Sequence, residues 1–212
     1  NDELASFYLK DLSANQVQTS EQSLSTGQTG TCIVLITPDS ERTMYTYLGI
    51  TAELSAQQVD FEPLKTAHWL YVEGYLATSP TAQQAVNQAR QIAKENNVQI
   101  ALSLSDPAMV QYAKAGLDAL IADGVDILFC NEQEALMYTQ KDNLTDATEQ
   151  LLTLSQTAVI TLGSKGALIC QKGQEQLLVE GYAVKAVDTN GAGDAFAGAF
   201  LYALTQKQSL QD

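Results

Sequence analysis

Asp188-Thr-Asn-Gly-Ala-Gly-Asp194 runs directly into Ala195-Phe-Ala-Gly-Ala-Phe-Leu-Tyr-Ala-Leu204. The first half is a turn: Gly191, Ala192 and Gly193 are small enough for sharp bends and for close approach of backbone to a ligand. The second half is apolar or small throughout and reads as a buried helix. A Gly-rich turn that opens a helix leaves backbone N–H groups without acceptors, and the helix dipole makes that end attractive to anions. Asp194 falls on the first turn. One reading is an ordinary acidic residue at a helix start. The other is a base beside a phosphate-sized anion site, where a hydroxyl is deprotonated for phosphoryl transfer.

Working outward, strands and helices alternate. Trp69–Val72, Val98–Leu104, Asp126–Cys130 and Ala158–Leu162 read as strands. Thr81–Asn96, Met109–Ala122 and Leu144–Ser155 read as helices, with a further helix opened by Asn131-Glu-Gln-Glu134. Ala167–Cys170 and Gln176–Val179 read as a hairpin. The succession predicts an α/β fold with a mostly parallel sheet covered by helices on both faces. Ligands in such sheets sit at the carboxyl ends of the strands. Three loops with polar or glycine-rich chemistry lie there: Ser105-Asp106, Asn131–Glu134 and Gly163-Ser-Lys-Gly166. Asn131 and Glu134 have capping-box spacing; they also suit an oxygen-rich site for hydrated Mg2+ and phosphate. Gly163–Gly166 fits either a tight turn or a nucleotide pocket wall.

Towards the N-terminus, Leu4, Phe7, Tyr8 and Leu12 have helical spacing. A polar stretch follows, with room for one short exposed strand in Val17–Leu24. Thr31–Thr37 and Arg42–Tyr47 are strands joined by a Pro38–Glu41 turn. This hairpin is either a sheet edge or a β lid over a substrate.

The chain has 212 residues, 45% of them apolar, and a net charge of −14. An acidic surface disfavours nucleic acid and anionic membranes as partners, and no run is long enough to cross a membrane. Cys32, Cys130 and Cys170 have no metal-site spacing and read as buried thiols in a reducing cytoplasm. His68 is the single histidine, which removes His-based triads and His-ligated metals from consideration. Walker A, GxGxxG and protein-kinase signatures are all missing from the sequence. The chain begins at Asn1 in mid-helix pattern and stops just after the key helix, so a longer gene product is expected.

Val187–Phe200 (VDTNGAGDAFAGAF) resembles the C-terminal signature of the ribokinase-like (PfkB) carbohydrate and nucleoside kinases. CNEQEA (130–135) resembles that family's Asn-x-x-Glu motif, and VITLGSKGA (159–167) its Thr-x-Gly-x-x-Gly segment. DELASFYLKDL (2–12) and the hairpin 29–49 resemble its helix after the substrate region and its β lid. The resemblance implies a three-layer α/β/α sandwich plus a small β lid, with residues 1–12 and 52–212 as core and 13–51 as lid segment. It implies an ATP- and Mg2+-dependent kinase acting on a primary hydroxyl. Asp194 is then the base, and Gly191, Ala192 and Gly193 form the anion hole. Asn131 and Glu134 organise metal and phosphate. Thr161, Gly163 and Gly166 line the ATP side with Asp188 and Thr189, Asp188 being placed near a phosphate or monovalent cation. Thr31 and Arg42 belong to the lid on the substrate side. The hairpin and WLYVEGYL (69–76) lean towards an adenosine-kinase-like nucleoside acceptor. A ribose- or fructose-type sugar kinase is the alternative, as is a non-catalytic nucleotide- or sugar-binding regulator on the same fold. The lid suits a monomer or a lid-mediated homodimer. The family's Gly-Gly substrate motif and its final helices have no counterpart in these residues.

Overall fold

Asp2 starts the first helix. Its carboxylate accepts from the Ala5 N–H at 2.9 Å and so caps α1 (Glu3–Ala14). It also accepts from the Thr29 N–H and hydroxyl at 2.8 and 2.6 Å. These Thr29 bonds, with the helix cap, hold the Asp2 carboxyl well below the usual carboxylate range. The helix start is thereby fastened to the loop that leads into β1 (Thr31–Ile36). β1 pairs antiparallel with β2 (Arg42–Tyr47), Cys32 opposite Thr46 and Val34 opposite Met44. The structure, a computed structural model, describes residues 2–20, 26–37 and 42–210. The expected turn at Pro38–Glu41 lies outside them. Val17–Ser20 form no strand, and the rest of the short strand expected there also lies outside the described residues.

The main sheet has six strands in chain order. They are β3 (Trp69–Glu73), β4 (Gln99–Ser103), β5 (Val125–Asn131), β6 (Ser155–Thr161), β7 (Ala167–Gln171) and β8 (Leu177–Val179). β3 to β6 are parallel; β7 and β8 continue antiparallel. The connecting helices are α2 (Pro80–Glu95), α3 (Pro107–Tyr112), α4 (Lys114–Ile121), α5 (Glu132–Thr139) and α6 (Leu144–Leu154). Right-handed crossovers that always advance the same way along a sheet put their helices on one face. Ile100, Leu102, Leu128, Cys130, Ala158 and Ile160 meet those helices on that face. The other face, Ala101, Ile127, Phe129, Val159 and Ile169, carries α7 (Ala192–Thr205) through Phe196, Ala197, Phe200 and Leu204. The α/β/α layering is thus as the sequence implies. Strands buried on both faces explain the unbroken apolar runs.

Three details depart from the sequence reading. The single helix expected over Met109–Ala122 is two helices broken at Ala113 (φ −127°, ψ 24°). Asp106 caps the first, accepting from the Ala108 N–H at 2.7 Å with Pro107 at the first helical position. The second lies so close to residues 74–78 that a Cβ on Gly116 would stand 2.1 Å from the Ala77 carbonyl oxygen. One straight helix could not satisfy both ends. Second, α7 begins at Ala192 rather than Ala195, and Ala197 alone of its residues is fully buried. Its composition is apolar around the whole circumference, but one stripe meets the sheet. Third, Cys32 is exposed while Cys130 and Cys170 are buried, because Cys32 sits on a two-stranded sheet with no second layer behind it among the described residues. Among the described residues no helix is long and apolar enough to cross a membrane.

Candidate active site

The carboxyl ends of β4, β5 and β6 open into one cavity of about 1360 Å³. Its floor holds Ser103, Ser105, Asp106, Asn131 and Thr161. Its side is the turn Thr189–Gly191 with Gly193 and Asp194. Its roof is one face of the β1–β2 sheet: Cys32, Val34, Met44 and Thr46. Phe196 and Phe129 form the apolar back.

Asn190 donates its N–H to the Asp188 carboxylate at 2.8 Å, an Asx turn that starts the bend. Gly191 then adopts φ +74° and serves as the N-cap of α7, a left-handed position that glycine takes without strain. The Ala192 N–H donates to the Thr189 carbonyl at 3.2 Å, and the Ala195 N–H to Gly191 at 2.9 Å. Ala192, expected in the anion hole, therefore spends its amide on the turn and does not line the cavity. The first-turn positions that line it are Gly193 and Asp194. Both the dipole and the exposed amides of a first turn favour negative charge there. The Asp194 side chain stands exposed in the cavity.

A row of rings joins the helix that carries Asp194 to the sheet. Phe196 stacks on Phe200 at 6.1 Å, Phe200 meets Phe129 edge-on at 5.5 Å, and Phe129 meets Tyr71 edge-on at 6.3 Å. This chain fastens α7 to β5 and β3.

Asn131 is the last residue of β5 and the N-cap of α5. The capping box is complete, with Glu134 Oε2 accepting from the Asn131 N–H and Asn131 Oδ1 accepting from the Glu134 N–H. Asn131 Nδ2 also donates to Glu134 Oε1 at 2.7 Å. Glu134 is buried at 4% exposure yet lines the cavity. The two sequence readings are thus compatible: the pair caps a helix and presents oxygens to the cavity. Cys130 beside it stays a protonated thiol, because burial, then the Glu134 charge, pushes its pKa well up.

Thr161 ends β6 and lines the cavity together with Ser164. Gly163–Lys165 form a single 3₁₀ turn. Gly163 (φ +60°) and Gly166 (φ +103°) shape that turn without lining the cavity. Asp188 likewise shapes its turn from outside the cavity, whereas Thr189 lines it. Thr31 pairs with Tyr47, one residue out of phase with Cys32 and Val34, and is not a cavity residue. Arg42 opposes Ile36 at the far end of the hairpin. The roof residues Cys32, Val34, Met44 and Thr46 were missed from sequence; the period-two alternation of a strand could have found their face.

Among the described residues of the cavity there is neither Lys nor Arg. The polar groups that these described residues offer an anion are amides, hydroxyls and carboxyl oxygens. That donor set fits an anion that arrives with hydrated Mg2+, which prefers oxygen ligands and keeps most of its waters. No group of three or more His, Cys, Asp or Glu among the described residues could cage a metal unaided.

The family profile for pfkB family carbohydrate kinases matches residues 1–212. The chain belongs to the PfkB family. A ribokinase of Haemophilus influenzae is 30% identical over 191 residues, which cover 87% of this chain and 58% of that protein. The crystal structure of adenosine kinase from Sinorhizobium meliloti superposes with a TM-score of 0.92 at 33% identity, covering 100% of this chain and 65% of the other. Anopheles gambiae adenosine kinase, crystallised in complex with P1,P4-di(adenosine-5) tetraphosphate, superposes at 0.86 with 26% identity, covering 99% and 66%. The PfkB chain described here therefore spans about three fifths to two thirds of the length of these relatives.

Proposed function

We propose that this PfkB-family chain carries the catalytic half-site of an ATP-dependent kinase. It transfers the γ-phosphoryl group to a primary hydroxyl of a nucleoside, adenosine-like, or of a sugar. The observation that carries this reading is the position of Asp194. It stands on the first turn of α7, beside the Gly193 amide, in the same cavity as the Asn131–Glu134 pair and Thr161.

In this reading Asp194 accepts the proton of the acceptor hydroxyl as its oxygen bonds to the γ-phosphorus. The bond from that phosphorus to the β,γ-bridging oxygen breaks, and ADP leaves. First-turn amides at Gly193 and Asp194 stabilise the charge that spreads over the transferring group. Asn131 and Glu134 would hold Mg2+ through water, and the ion would supply positive charge beside the phosphates in a cavity without a described cation. Thr161 and Ser164 face the nucleotide, with Gly163 and Gly166 shaping the wall behind them. Residues 13–51 are the lid segment in this reading: among the described residues, the cavity-facing side of β1–β2 has no other layer to cover.

Val34, Met44 and Leu48 make the roof largely apolar. That favours an acceptor with a flat apolar group, a nucleobase, over a bare polyol. The similarity to a ribokinase keeps ribose in the test. ADP release with adenosine, ribose and fructose as acceptors, with and without Mg2+, decides the reading. Mg2+-dependent release with one of them supports it, and none with any of them overturns it.

A further inference from the structure

Ser105 lies two residues past the end of β4 and lines the cavity, yet its φ is +70°. A residue with a Cβ takes that left-handed conformation only where its surroundings over-determine it. Here they do. The Ser105 N–H donates to Ser103 Oγ at 3.1 Å. Its hydroxyl accepts from the Gly74 N–H at 2.7 Å and donates to Glu73 Oε2 at 3.0 Å. Its carbonyl accepts from the Tyr75 hydroxyl at 3.4 Å. Three consecutive residues at the end of β3 are thus each fastened to one serine.

The join is tight. A Cβ on Gly74 would stand 2.7 Å from the carbonyl oxygens of both Ser103 and Leu104. Tyr71, two residues before Glu73, lies within electrostatic reach of both Glu73 and Asp194. Tyr71 also ends the row of rings that seats α7. This wall therefore borders the side of the cavity where Asp194 meets a hydroxyl, away from Thr161 and Ser164.

We propose that Ser105 is a positioning residue for the acceptor side of the cavity: its hydroxyl, held in a left-handed turn, fixes Glu73 and Gly74 beside the path of an acceptor approaching Asp194, while its backbone carbonyl holds the Tyr75 hydroxyl. A glycine would take the same backbone conformation without strain, so what serine adds at this position is the hydroxyl. The inference rests on the kinase reading above.

Ser105→Gly in the full-length protein separates the hydroxyl from the backbone. The expected result is a KM for the acceptor raised about tenfold, the loss of a half-buried hydrogen-bonding group. The KM for ATP stays within about twofold and the Tm is unchanged or higher, since the strain is gone. Hydrogen exchange at the Gly74 amide becomes faster. An unchanged acceptor KM overturns the positioning role, and so does a rise in both KM values that tracks a lower Tm, or an unaltered Gly74 amide. Wild-type protein that transfers phosphate to no acceptor overturns the kinase reading itself, whereas active wild type with an indifferent Ser105→Gly variant overturns the positioning role alone.

Discussion

Glu134 takes both nitrogens of Asn131: its Oε2 accepts the Asn131 N–H at 2.9 Å and its Oε1 accepts Nδ2 at 2.7 Å. The carboxylate is buried at the mouth of a parallel strand, where an unpaired charge would be costly. Glutamine in its place has one acceptor oxygen and one amide, so one Asn131 donor must face another donor. Glu134→Gln is expected to lower stability by about 1–3 kcal/mol and to raise the Mg2+ concentration that gives half-maximal turnover. Chemical denaturation and a magnesium titration of ADP release check the two effects.

Gly163 and Gly166 lie in one short motif but carry different constraints. At Gly163 (φ +60°) an added Cβ meets nothing within 4 Å; at Gly166 (φ +103°) it would stand 1.9 Å from the Val179 carbonyl oxygen. Gly163→Ala is expected to cost about 1 kcal/mol, the strain of a left-handed residue. Gly166→Ala is expected to cost several times that, because β7 and β8 must separate to admit the methyl group. Paired urea melts of the two variants read the difference.

How much of this was legible beforehand varies with the kind of signal. The alternation of apolar runs with amphipathic stretches made the parallel sheet readable, since strands buried on both faces leave no other pattern. The Asp188–Asp194 turn was readable because glycine spacing and a following apolar run are local. The start of α7 was misplaced by three residues, since Ala192 and Gly193 look like turn residues until the Ala195 N–H to Gly191 carbonyl bond is seen. The break at Ala113 depends on a contact between Gly116 and Ala77, 39 positions apart, which no local pattern contains. Ser105 had the same fate: its loop was noted, but its left-handed backbone goes with hydroxyl bonds to Glu73 and Gly74, more than thirty positions away.

Phe200 links Phe196 on its own helix to Phe129 on β5. It is half-buried, so Phe200→Ala removes roughly half of what a core phenylalanine contributes, about 2 kcal/mol. Because the same ring seats the helix that carries Asp194, kcat is expected to fall more than the KM for ATP rises. Thermal melts together with steady-state kinetics test this. A stability loss without any change in kcat would show that the rings hold the helix but do not set its first turn.

Asp123 accepts from Arg90 at 3.0 Å and from Lys94, while the Arg90 side chain is only 4% exposed. The Lys94 bond, then that of Arg90, lowers the Asp123 pKa from 3.8 to about 2. A folded-state pKa below the unfolded one means that the stabilisation is complete above pH 3.8 and is lost as pH falls through about 2. Asp123 is largely exposed, so solvent screening keeps the effect to about 1 kcal/mol. The stability gap between wild type and Asp123→Asn is expected to be constant from pH 7 to pH 5 and to narrow from pH 4 towards pH 2. Urea denaturation at pH 7, 4 and 2.5 measures it.

Asp194→Asn tests the central claim most directly. The substitution keeps the size of the side chain and removes its ability to accept the hydroxyl proton. If Asp194 is the base, kcat for acceptor-dependent ADP release falls about 10²–10⁴-fold, while the Kd for ATP measured by calorimetry stays within a few-fold of wild type. A variant that turns over at the wild-type rate would contradict the account, because the cavity would then hold a site whose chemistry does not run through Asp194.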